Sequence, residues 1–198
     1  MLQLIETICF ENAQFQRIKL HEERMNSSRR HLFGSRNQLL LTPLLKIPAS
    51  LYEHKVRCRV TYSTSIEDIE YEQYFSKNIR SLKLVWDDSI EYSYKFKDRE
   101  ALNKLLYLRG NADEVLIVKN GMLSDTSFTN IVFLKNCRWF TPEFPLLAGT
   151  KRADYLDKKL ILTATIRPED LNQYEGAKLI NSMRSFEEEN VIPISQII

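Results

Sequence analysis

Apolar and polar residues alternate through Lys55-Val56-Arg57-Cys58-Arg59-Val60-Thr61-Tyr62, which predicts a strand with Val56, Cys58 and Val60 on one face. Residues 66–74 alternate again and are expected to pair with it as a hairpin. Upstream, residues 2–10 are apolar and rich in β-formers, and a turn at residues 11–13 leads into residues 15–18 as an opening hairpin. Leu20, Arg24, Ser28 and Leu32 then recur at helical spacing and Gly34 follows as a stop, so a helix is entered from a strand. Residues 39–45 and 48–52 predict a short helix or loop. Residues 1–85 thus read as a small α/β lobe closed by a strand at 81–85, with Trp86-Asp87-Asp88 as a hinge into a larger lobe at 86–198.

In that second lobe, Ala101, Leu102, Leu105, Leu106 and Leu108 predict a helix over 99–108 that stops at Gly110. Residues 114–118 and 131–134 read as two strands, with a turn at Asn120-Gly121. Trp139-Phe140 is a further short strand, ended by Pro142 and Pro145. A helix over 152–160 follows Gly149, then a strand at 163–166, one helical turn at 170–174, and strands at 177–180 and 191–194.

Composition narrows the class. Hydrophobic residues at 43% and charged residues at 27% of 198 exclude a disordered or low-complexity chain. A net charge of +2 supplies no field for a polyanion, so no nucleic-acid partner is expected and any anion site is local. Cys9, Cys58 and Cys137 are odd in number and far apart, which suits reduced thiols. His21, His31 and His54 lack metal-ligand spacing, and no metal is expected. Glu6 and Glu11 interrupt the apolar opening, and no uncharged run spans a bilayer, so the expected location is cytoplasmic without a membrane partner.

Three segments carry candidate chemistry. Gly149-Thr150-Lys151-Arg152 stands at a helix entry, where backbone N–H groups can cradle a phosphate, or where surface cations simply begin a helix. It is not a GxxxxGK[ST] loop, and no GxGxxG occurs, which removes nucleotide folds of those kinds. Asp125-Thr126-Ser127-Phe128-Thr129-Asn130 places an acid, hydroxyls and an amide in a loop before the strand at Ile131, a pattern that also caps local backbone. Tyr94-Lys95-Phe96 sets a lysine between aromatics, which can desolvate an amine into a nucleophile, although an edge-strand cation has the same pattern.

The order of these pieces adds information that none holds alone. Ile5-Glu6-Thr7-Ile8, His21-Glu22-Glu23-Arg24 with Ser28, residues 95–99, Ala112-Asp113-Glu114, residues 125–130, Phe140-Thr141-Pro142, residues 147–152 and residues 180–184 follow one another across nearly the whole chain. This succession resembles the class IV aminotransferases, pyridoxal-phosphate enzymes of fold type IV. The resemblance implies a mixed α+β fold, with a small N-terminal α/β lobe and a larger β-barrel-like lobe with flanking helices that binds the cofactor. It implies pyridoxal 5'-phosphate carried on Lys95, with Lys97 as the rival, and an acid paired with the pyridine nitrogen. That acid is Asp125, one methylene shorter than the family's usual Glu. Phosphate binding maps onto Arg24, the N–H groups of Thr150 and Lys151, and Asn181-Ser182, with Lys151 standing where a threonine is usual. Thr7 matches a substrate-proximal position of the lyase branch and is the second catalytic candidate. Arg57 and Arg59 either reach a substrate carboxylate or line the solvent face of their strand. The implied activity is a 4-amino-4-deoxychorismate lyase releasing pyruvate and 4-aminobenzoate for folate synthesis. The alternatives are an aminotransferase for branched-chain or D-amino acids, and a non-catalytic protein of the same fold. The partners implied are a small-molecule amino acid or aminodeoxychorismate, and a second copy in a homodimer.

Overall fold

The computed structural model describes residues 2–198. The chain divides into two compact units, the first running to Ser76 and taking in Tyr94–Asp98, the second formed by Lys77–Ser93 and Arg99–Ile198.

The first unit is a four-stranded sheet in the order β2-β1-β3-β4, with one helix. Strands β1 (Leu4–Glu11) and β2 (Gln14–Phe15) form the opening hairpin. Asn12 and Ala13 at its tip have φ of 54° and 57°, the left-handed pair that matches the twist of a two-residue hairpin. Helix α1 (Ile18–Phe33) ends where Gly34 takes φ 65°, with Gly34 N–H bonding Arg30 O and Ser35 N–H bonding Arg29 O. Strand β3 (Val56–Tyr62) pairs with β1 on one side and β4 (Ile66–Gln73) on the other, both antiparallel. The expected face is the observed one. Leu4, Ile8, Met25, Cys58, Val60 and Tyr62 have no exposed surface and pack into one core. The returning segment 94–98 adds to the N-terminal edge of β1: Leu4 bridges Phe96, Ile5 N–H bonds Lys95 O at 2.9 Å, and Lys97 N–H bonds Gln3 O at 2.9 Å.

The second unit holds β5 (Leu82–Trp86), α2 (Glu100–Tyr107), β6 (Glu114–Lys119), β7 (Met122–Thr126), β8 (Asn130–Lys135), β9 (Arg138–Pro142), α3 (Thr150–Asp157), β10 (Leu162–Ala164), β11 (Gly176–Ile180) and β12 (Ile192–Pro193). These strands make two sheets, β10-β9-β8-β11-β12 and β5-β6-β7. Backbone bonds join them at both ends. Beyond β12, Ile198 N–H bonds Leu82 O and its carbonyl takes Leu84 N–H; beyond β10, Ile166 O accepts Leu123 N–H at 2.8 Å. The result is the barrel-like closure expected of this lobe, filled by Leu82, Leu116, Leu123, Ile131, Phe133 and Leu179.

A strand of the second unit departs from the sequence reading. The segment 122–126, read partly as loop, is strand β7, and Asp125 lies within it, with only 127–129 turning before Asn130 opens β8. Ser124, Asp125 and Thr126 are all buried by hydrogen bonding, so this strand shows no apolar alternation.

Candidate active site

The candidate residues divide between the units. Thr7, Arg24 and Lys95 belong to the first; Asp125, Thr150, Lys151, Asn181 and Ser182 belong to the second.

In the first unit a charged residue sits on the apolar face of β1. Glu6 is fully buried, and its carboxylate takes Arg24 Nε at 3.0 Å, Arg24 Nη2 at 2.5 Å and His21 Nδ1 at 2.6 Å. Burial pushes the Glu6 carboxyl up, but the Arg24 charge and the hydrogen bonds from His21 and Arg24 outweigh it and hold it at about 2. Burial also drives His21 below its usual value in spite of Glu6. His21 is therefore neutral at pH 7 and donates from Nδ1, since a carboxylate only accepts. This buried acid fixes the Nε–Nη2 edge of the Arg24 guanidinium, a two-pronged contact that a lysine could not make. Glu6 was legible as an exception to alternation between Leu4 and Ile8.

Lys95 is half-buried and Lys97 exposed. Tyr94 and Phe96 pack on the helix-covered core and meet each other at 6.0 Å, so their rings turn to the face opposite the lysine and do not enclose its amine. Lys95 thus leaves on the face shared by Ile5, Thr7 and, across the register, Thr61 and Arg59.

In the second unit the acid is tied to the start of a helix. Asp125 Oδ1 accepts Asn130 Nδ2 at 2.8 Å, and Oδ2 accepts Leu147 N–H at 3.0 Å. Asn130 Nδ2 also donates to Leu147 O at 3.0 Å. Gly149 caps α3, and a Cβ placed on it would stand 1.9 Å from Asn130 Oδ1, so the close approach itself requires glycine. The first helical bond of α3 runs from Ala153 N–H to Gly149 O, and the amides of 150–152 lie in the first turn, the part of a helix whose N–H groups can face an anion. Thr150 and Lys151 are buried, with the Lys151 amine 5.3 Å over the Tyr155 ring. Asn181 Nδ2 donates to Phe128 O, fastening the turn that holds Ser182 to the one that follows Asp125. Burial pushes Asp125 up to about 6 against these bonds, and among the described residues no cation forms an ion pair with it. Arg152, whose charge favours the ionised form of Asp125, is engaged with Thr141 Oγ1 and Pro142 O.

Comparison with known proteins gives the family. The family described as amino-transferase class IV matches residues 99–197. An uncharacterized protein of Haemophilus influenzae is 38% identical over 185 residues, covering 92% of this chain and 98% of its own. A solved structure from Haemophilus somnus, provisionally described as a 4-amino-4-deoxychorismate lyase, is 35% identical with a TM-score of 0.89, covering 94% of this chain and 98% of that one. The pyridoxal-phosphate-bound form of a hypothetical aminotransferase from Mycobacterium tuberculosis shares the fold at 15% identity and TM-score 0.73, over 96% of this chain and 80% of that one. The chain belongs to the class IV amino-transferases and is an enzyme of that pyridoxal-phosphate-dependent class.

The residues present suit that cofactor. Asp125 is a buried acid held by Asn130 Nδ2 and Leu147 N–H, and because a carboxylate oxygen can accept more than one hydrogen bond, its chemistry suits a further donor such as a protonated ring nitrogen. Gly149 brings the start of α3 against Asn130, the residue that holds this acid.

Proposed function

We propose that the chain is a 4-amino-4-deoxychorismate lyase, dependent on pyridoxal 5'-phosphate. The observation that carries this reading is Thr7, a half-buried hydroxyl on the sheet face from which Lys95 also leaves. The relative that shares 35% of its residues supports it. When bound, the cofactor supplies an electron sink for the carbanion formed at the carbon bearing the amine. Lys95 would hold the cofactor and take the ring proton. Thr7 would deliver a proton as the C–O bond to the enolpyruvyl group breaks, so that pyruvate leaves and the ring becomes aromatic. Asp125 would keep the pyridine nitrogen protonated. In the second unit the amides of Thr150 and Lys151 and the Asn181-Ser182 turn would bind phosphate, and in the first Arg24, steadied by Glu6, is the arginine to which the family resemblance assigns a phosphate contact. A homodimeric assembly and a cytoplasmic location go with the same reading; no helix among the described residues is long and apolar enough to cross a membrane.

The test uses two reactions on purified protein supplied with pyridoxal 5'-phosphate. Aminodeoxychorismate should yield 4-aminobenzoate and pyruvate in equal amounts, whereas a branched-chain or D-amino acid with 2-oxoglutarate should yield no glutamate. Glutamate in the second reaction and no aminobenzoate in the first would make the enzyme an aminotransferase. Lys95→Ala should abolish turnover and the near-visible absorbance of the bound cofactor, and Lys97→Ala should change neither.

A further inference from the structure

Beside Lys95, the first unit presents a row of polar side chains that its own residues leave unsatisfied. Arg57, Arg59 and Thr61 occupy alternate positions of β3 and so share the face away from α1. Arg57 Nε, Arg59 Nε and Thr61 Oγ1 are all buried with no hydrogen-bond partner. Orphaned atoms occur elsewhere, as at Arg184 Nε and Nη1, but these three fall at i, i+2 and i+4 on one face of one strand and so form a row that a single bound group could satisfy. The neighbours differ in their commitments. Arg57 forms an ion pair with Glu72 on β4. Arg59 faces Thr7 on one side and the exposed Glu70 on the other, yet makes no ion pair or hydrogen bond among the described residues. Arg29 in α1 shows how this chain treats a structural arginine: its Nε, Nη1 and Nη2 bond Thr64 O, Asn26 Oδ1, Asn37 O and Asn37 Oδ1.

We infer that Arg59 is the specificity-determining residue for a substrate carboxylate, with Thr7 and Thr61 on either side of the bound group. The inference rests on the lyase reading and adds to it the class of substrate: an amine that carries a carboxylate at a distance from the reacting nitrogen. Lys95 is aligned beside Ile5 and Arg59 opposite Thr7. Strand spacing then puts the two backbones about 12 Å apart. Both side chains are long, so their charged ends can meet opposite ends of a molecule the size of one six-membered ring. A guanidinium matches a carboxylate with two parallel N–H bonds, whereas the Arg57 fork is already turned to Glu72. Specificity follows from the unpaired donors, since a substrate lacking the carboxylate leaves them buried and unmatched.

The probes are 4-aminobenzoate and aniline, which differ only in the carboxylate, and inorganic phosphate, titrated calorimetrically into the protein loaded with pyridoxal 5'-phosphate. Wild-type protein should bind 4-aminobenzoate roughly 10- to 100-fold tighter than aniline, the range of a charge-assisted hydrogen-bonded contact. Arg59→Gln should reduce that preference to less than about 3-fold, Arg59→Lys should restore part of it, and Arg57→Gln should leave most of it. If aminodeoxychorismate is a substrate, Arg59→Gln should raise KM with kcat nearly unchanged, the mark of binding made equally in ground and transition states. A carboxylate preference lost in Arg59→Gln, in a protein that does not release aminobenzoate, would support this site while refuting the lyase reading. An Arg59→Gln protein with a lowered Tm and an unchanged preference would make Arg59 a structural partner of Glu70 and overturn the inference. So would wild-type protein that binds aniline as well, or that loses 4-aminobenzoate to millimolar phosphate.

Discussion

At the scale of the residue, the first unit turns on one carboxylate. Glu6 is buried among apolar neighbours, and three hydrogen bonds, two from Arg24 and one from His21, stabilise its charge. Glu6→Gln keeps the shape but removes the charge facing a guanidinium that is itself largely buried. Breaking a buried pair from one side leaves the other ion uncompensated, so a loss of about 3 kcal/mol in unfolding free energy is expected, measured by urea denaturation. Cofactor affinity should fall as well, because the Arg24 fork loses the contact that aims it. A Glu6→Gln protein as stable as the parent, with unchanged affinity, would mean that Arg24 is positioned by other groups. The contrast between Arg29 and Arg59 belongs to this scale too: Arg29 spends its donors on this chain, and Arg59 does not.

At the scale of the element, strand β7, the turn after it and the start of α3 form one mechanical piece joined through Asn130. Gly149→Ala would drive a methyl group into Asn130 Oδ1 and displace the amide that bonds Asp125 and Leu147. Overpacking of this kind costs about 1–3 kcal/mol. Asn130→Ala alone should also destabilise, by leaving Leu147 O and Asp125 short of a donor. Because the second change removes what the first collides with, the double variant should lose less than the sum of the singles. Additive losses in thermal unfolding would show that the two residues do not communicate. The same elements explain what was readable beforehand. Strand β3 and the stop of α1 at Gly34 could be read because apolar alternation and a left-handed cap are local signals. Strand β7 was hidden because Ser124, Asp125 and Thr126 are polar residues buried by hydrogen bonds, which inverts the usual code. The order of short motifs pointed to Lys95, Asp125 and Gly149, but no pattern along the chain could announce that 94–98 returns to the edge of β1, since that pairing spans about ninety positions.

At the scale of the whole molecule, the two units should respond to acid in opposite directions. In the first, Glu6 is lowered from 4.5 to about 2, so its contribution is complete above pH 4.5 and is lost as pH falls toward 2. His21 is also lowered from 6.5, so protonation is resisted by the folded state and stability begins to fall as pH drops through 6.5. In the second unit the sign reverses. Asp125 is raised from 3.8 to about 6, so its ionisation opposes folding, and the penalty disappears as pH falls from 6 to 3.8. Each pKa unit corresponds to about 1.4 kcal/mol, which makes this term on the order of 3 kcal/mol. Hydrogen exchange from pH 7 to 4.5, corrected for intrinsic rates and without added cofactor, should therefore show falling protection in β1, β3 and α1 but rising protection in β7 and β8. Asp125→Asn should remove the second trend and leave the first, and a single trend shared by all five elements would refute the assignment of opposite signs. If Asp125 receives the ring nitrogen of the cofactor, saturating pyridoxal 5'-phosphate pulls its pKa back down, because an opposite charge favours the ionised carboxylate. The rise in β7 and β8 should then vanish while the fall in β1, β3 and α1 persists; if the rise survives saturation, Asp125 is not the residue that pairs with the ring.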